Sequence, residues 1–92
     1  MKIYTVTTLR ELNTHGRTVG YFSDMEEAQE AVERNSCDIY ESGYYPYAVV
    51  EEVEDGLYPY CPKAQWYQWN GGRYVKIPKP EGLKHVVNFS IG

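Results

Sequence analysis

Few residues in this chain have the types that catalysis or ligation uses. Two thiols, Cys37 and Cys61, and two imidazoles, His15 and His85, are scattered through the 92 residues. Cys61 with His85 is the one nucleophile and base that can be paired on paper. Cys61, however, sits between Pro59 and Pro62 with no helix N-terminus to lower its pKa, and nothing in the spacing brings His85 to it. No His, Cys, Asp and Glu grouping has the spacing of a metal site. No glycine-rich phosphate loop exists, because Gly71 and Gly72 stand between two strand-like runs and not before a helix. The residues therefore predict no catalytic centre, no metal and no cofactor. The chain reads as non-enzymatic.

What remains is chemistry of recognition. Net charge is −4, but residues 24–55 hold Asp24, Glu26, Glu27, Glu30, Glu33, Asp38, Glu41, Glu51, Glu52, Glu54 and Asp55 against Arg34 alone. The flanking segments are mildly basic. Such a span is either a set of solvated faces or an acidic surface for a basic partner, including one that normally holds nucleic acid. Glu51, Glu52, Glu54 and Asp55 are its densest group. Direct binding of DNA or RNA is disfavoured, since no basic stripe is available to neutralise phosphates.

The second recognition feature is aromatic. Ten Tyr, two Trp and two Phe are more than a small core needs. Tyr45, Tyr47, Tyr67, Trp69 and Tyr74 are candidate contact residues, because Tyr and Trp offer rigid area at low entropic cost. Packing over a sheet face accounts for about half of the rings without any ligand. Alternatively, the same rings stack on a nucleobase with Arg73 or Lys76 near its phosphates.

These residues need elements to place them. The clearest is a helix after Ser23, whose spacing to Glu26 matches a capping box, with Asp24, Glu26 and Glu27 favoured by the dipole. Met25, Ala28, Ala31 and Val32 make one narrow apolar stripe, and Glu30 to Arg34 is a favourable i,i+4 pair. With Asn35 as terminator this predicts about 13 residues of helix, marginal unless docked. Strand patterns cover 2–9, 17–22, 47–53, 65–69, 73–77 and 84–91. Apolar residues on both sides of 47–53 predict a central strand with the helix on one face. Prolines keep 57–62 out of any central strand.

Asn70-Gly71-Gly72 predicts a hairpin. A two-residue Asn70-Gly71 turn sets Tyr67 opposite Tyr74 and turns Trp66, Val75 and Ile77 to the core, leaving Tyr67, Trp69 and Tyr74 on the other face. A three-residue turn shifts that pairing. The expected fold is α+β: one domain over 1–92, with a single antiparallel sheet of five or six strands and one amphipathic helix on one face. No membrane span or export signal is legible, and the two cysteines read as free thiols, so a cytoplasmic protein is expected. Edge strands and surplus rings leave a homodimer open.

Several strings are more particular: Arg17-Thr-Val-Gly-Tyr-Phe22, Asp38-Ile-Tyr-Glu41, Tyr47-Ala-Val-Val-Glu-Glu-Val53, Gly56-Leu-Tyr-Pro59, Trp66-Tyr-Gln-Trp69 and Asn88-Phe-Ser-Ile-Gly92. Together they resemble a group of small proteins from phages and prophages of Gram-positive bacteria. That resemblance implies an accessory phage protein acting in the bacterial host cell, of the kind that antagonises host defence, and it carries no catalytic motif. The expected function is inhibition of a bacterial defence system, anti-CRISPR-like, by protein binding through the acidic and aromatic surface. The alternative is a sponge that sequesters a nucleotide immune signal, using Trp69, Arg73 and Tyr74 at a dimer interface.

Overall fold

The computed structural model describes residues 2–10, 16–34, 45–56 and 63–81. Within them the chain forms β1 (Lys2–Leu9), β2 (Arg17–Phe22), α1 (Met25–Glu33), β3 (Tyr47–Glu54), β4 (Ala64–Trp69) and β5 (Tyr74–Ile77). The strands make one sheet in the order β2-β1-β3-β4-β5, antiparallel at every pairing. A single helix packs on one face, as the patterning predicts. The strand expected at 84–91 lies outside the described residues, as do Cys37, Cys61, His15, His85, Tyr44, Asn35 and all of 57–62 with Tyr58 and Tyr60.

β3 is the middle strand, and Ala48 through Val53 are all buried. Its register with β1 runs unbroken from Lys2 opposite Glu54 to Leu9 opposite Tyr47. Alternation then fixes the faces. Ala48 and Val50 join Val6, Ala28, Val32, Tyr67 and Tyr74 in the main core beneath α1, rimmed by Tyr4, Val19, Phe22, Met25 and Trp69. Val49 belongs to the other face, with Leu9 and Trp66, and Tyr47 and Ile77 pack against them. Buried threonines on β1 are satisfied locally. Thr5 donates to the Glu51 carbonyl at 3.5 Å, Thr8 to the Arg17 carbonyl at 3.3 Å, and Thr7 shares a hydrogen bond with Thr18 at 3.2 Å.

The helix differs from expectation at its start. Asp24, not Ser23, is the cap: its backbone is extended, and its Oδ1 accepts from the Glu26 N–H at 3.1 Å. A charged carboxylate is a stronger acceptor for an orphan helix N–H than a hydroxyl, so the helix begins one residue later. It also ends at Glu33, which makes it nine residues long, too short to persist alone. Docking supplies the stability. Ala28, Ala31 and Val32 are buried, and their small side chains let α1 lie close over β1 and β3. The Glu30–Arg34 pair forms at 2.9 Å.

The β4–β5 turn differs as well. Asn70 donates its N–H to the Arg73 carbonyl at 2.8 Å, and Trp69 stands opposite Tyr74, so Gly71-Gly72 forms the tip. Both tip residues have positive φ, 62° and 153°, which two glycines adopt freely and an Asn at the first position would adopt at a cost. Tyr67 therefore faces Lys76 instead of Tyr74. The displacement is two residues, an even number, so it exchanges partners without flipping faces. Trp66, Val75 and Ile77 share one face and Tyr67, Trp69 and Tyr74 the other, as predicted. Trp66 is buried in a core cluster with Ile77 packed against it, as expected, but the Tyr67 face is buried too and is the one α1 covers.

Candidate functional site

The acidic and aromatic residues selected from the sequence divide by depth. Glu51 and Glu52 are each 2% exposed, Tyr67 is 0% and Tyr74 2%. These four do not present an open recognition surface, which corrects the expectation that placed them there. The reason lies in the topology. β3 is central and covered on both faces, so neighbouring acids that alternate sides are both withdrawn from water. Glu54, Asp55 and Arg73 are exposed, and Tyr45, Tyr47 and Trp69 are partly buried.

Glu52 lies on the helix side, where alternation from Tyr4 and Val50 places it. Tyr4 donates its hydroxyl to Glu52 Oε1 at 3.1 Å, and Lys2 Nζ lies 3.5 Å from the same oxygen and 3.7 Å from Glu54. A carboxylate held out of water requires partners of this kind. The Glu52 charge raises the Lys2 pKa, and the hydrogen bond to Glu52 raises that of Tyr4. This group ties the end of β1 to the end of β3. Only Glu52 within it is withdrawn from water, Lys2 remaining exposed.

The two buried phenols anchor the opposite end. Tyr67 crosses under α1 and donates to Glu33 Oε2 at 2.9 Å, while Lys76 Nζ stands 3.7 Å from the same oxygen. Tyr74 donates to the Tyr45 carbonyl at 2.8 Å, and its ring meets Trp69 edge to face at 5.1 Å. Burial, and then the Glu33 hydrogen bond, push the Tyr67 phenol well above the ordinary tyrosine range. Burial alone pushes Tyr74 up to about 12. Both therefore stay protonated hydrogen-bond donors at neutral pH.

Between these elements a cleft of about 290 Å³ opens, lined by Glu33, Arg73, Tyr74, Val75 and Lys76. Sequence reasoning singled out Arg73, Tyr74 and Lys76 of this lining and missed Glu33. A signal for Glu33 did exist. It is an acid in the last helical turn, where no basic residue accompanies it and the dipole opposes it, so a tertiary partner is called for.

The exposed acids form a separate surface. Glu26, Glu27 and Glu30 lie on the outer side of α1. Asp24 caps its first turn, beside the β2 end that pairs with Tyr4. Glu54 and Asp55 lie at that same end of the sheet, since Glu54 pairs with Lys2. Among the described residues no group of three or more His, Cys, Asp or Glu is arranged to hold a metal ion, and no helix is long and apolar enough to cross a membrane. Comparison with protein-family models, with curated proteins and with solved structures gives no match.

Proposed function

We propose that this chain is a non-enzymatic binding module that meets the basic face of a partner protein through the acidic outer surface of α1. One observation carries the reading. Once Glu51 and Glu52 are withdrawn into the fold, the exposed acids among the described residues include Glu26, Glu27 and the Arg34-paired Glu30 along the outer side of α1, with Glu54 and Asp55 at the helix N-terminal end. A rigid helix presents such a row with its spacing fixed, which favours specificity and fast encounter over raw affinity. Together with the resemblance to small phage proteins, this supports a phage-encoded inhibitor that occupies a nucleic-acid-binding surface of a host defence protein. The sponge reading is less well supported, because Tyr67 and Tyr74 are buried and Trp69 is engaged edge-on with Tyr74, which leaves little ring face for a nucleobase.

The test is affinity capture from a Gram-positive host lysate with the wild type and with the triple variant Glu26→Lys, Glu27→Lys, Glu30→Lys. All three positions point to solvent, so the variant should fold, which circular dichroism checks. The wild type should enrich a basic partner that elutes with added salt, and the variant should recover it at least about tenfold less well. Equal recovery by both proteins contradicts the reading.

A further inference from the structure

We propose that Asn70-Gly71 is a self-modifying site, where the Asn70 side chain loses ammonia through a cyclic imide and leaves an acid at the hairpin tip. The inference does not rest on the helix surface described above. In this reaction the Gly71 amide nitrogen gives up its proton and attacks Asn70 Cγ. The new C–N bond closes a succinimide ring, and the side-chain nitrogen departs as ammonia. Water then opens the ring at either carbonyl, giving aspartate or its β-linked isomer, isoaspartate. The net change is amide and water to carboxylic acid and ammonia, with no other reactant consumed.

The tip leaves this path open. Asn70, Gly71 and Gly72 are all exposed, so water reaches the ring that forms. Gly71 has no side chain to crowd the attacking nitrogen, and a Cβ placed on it would meet nothing within 4 Å. Among the described residues, no acceptor meets the Gly71 N–H and no partner holds the Asn70 carboxamide. The bond that closes the turn, from Asn70 to the Arg73 carbonyl at 2.8 Å, uses the Asn70 N–H. It therefore restrains the N-terminal side of that residue and not the rotation that carries Cγ toward Gly71. The other asparagines, Asn13, Asn35 and Asn88, precede Thr14, Ser36 and Phe89, whose side chains crowd the same approach.

The two products differ in what they do to the hairpin. An aspartate adds one negative charge across from the exposed Arg73, and opposite charges facing each other over a turn favour the pair. An isoaspartate routes the main chain through the side-chain methylene. That lengthens a tip whose two positive φ values are fitted to one spacing, next to the Trp69–Tyr74 contact at 5.1 Å. The first product should keep the turn, and the second should loosen it.

The test is to age the wild type in its native state and, in parallel, in denaturant, then map the peptides by mass spectrometry. The Asn70 peptide should gain one mass unit, the difference between an amide and an acid, and an isoaspartyl methyltransferase should label part of it. Conversion should run faster in mildly alkaline than in neutral buffer, because the deprotonated amide is the nucleophile. Native and denatured rates should agree within a few-fold, and the peptides holding Asn13, Asn35 and Asn88 should lag in both. Asn70→Ser, at an exposed position, should fold and abolish the change, while Asn70→Asp should melt close to wild type and above the isoaspartyl fraction. The proposal is overturned if the native protein converts about tenfold or more slowly than the denatured chain, since the hairpin then protects the site. It is overturned equally if another asparagine converts as fast as Asn70 in the native protein.

Discussion

Replacing Tyr67 with alanine should destabilise the fold by about 3–5 kcal/mol, the usual cost of deleting a fully buried aromatic ring. Tyr67 is 0% exposed and stands in the main core among Val6, Ala28, Val32, Ala48 and Val50. The space it leaves lies under a helix only nine residues long, which can follow the collapse only by losing its own contacts with the sheet. Removing the ring also strands Glu33 with Lys76 alone. Tyr67→Phe isolates that second contribution. It keeps the ring and loses the 2.9 Å bond to Glu33, so its cost should be closer to about 1 kcal/mol. For a domain whose total stability is of the order of 5–15 kcal/mol, the alanine variant removes a large share, and chemical denaturation will resolve it from the phenylalanine variant.

Trp66→Ala, one position earlier, should cost a similar amount, about 3–5 kcal/mol. Adjacent residues in a strand point to opposite faces, so in a sheet with one wet face only one of this pair could matter. Here Trp66 is 3% exposed and packs with Leu9 and Val49, remote from the helix. The two substitutions probe separate clusters of side chains. Denaturation midpoints that fall for both variants confirm burial on both faces, whereas a Trp66→Ala change within about 0.5 kcal/mol of wild type would place that ring at the surface.

The fold was legible because its strongest signals are local and periodic. The stripe Met25, Ala28, Val32 needs only helical geometry, and Tyr47–Val53 announces a central strand by carrying valines on both sides. The hairpin was legible in kind but not in pairing, since Asn70-Gly71-Gly72 holds two overlapping turn signals and the choice between them is made by two positive φ values. The site was read less well. Glu51 and Glu52 look like solvated acids in any linear scan, and what buries them is their place on the central strand between β1 and β4, with Tyr4 and Lys2, 48 and 50 positions away in the chain, meeting Glu52. Tyr67 and Tyr74 looked like surplus rings for the same reason. Their hydroxyls find Glu33 and the Tyr45 carbonyl only after the sheet assembles.

The division of carboxylates between interior and helix surface underlies the proposed function, and chemical labelling reads it directly. Native protein treated with a water-soluble carbodiimide and an amine nucleophile, then analysed by mass spectrometry, reports the reach of each acid. Glu54 is exposed on the same strand as Glu51 and Glu52 and serves as an internal standard. Glu26, Glu27, Glu30 and Glu54 should label readily, with Glu51 and Glu52 protected until denaturant is added. Labelling of Glu51 and Glu52 in the native protein as fast as Glu54 would contradict the account, returning those acids to the surface and removing the ground for assigning recognition to the helix.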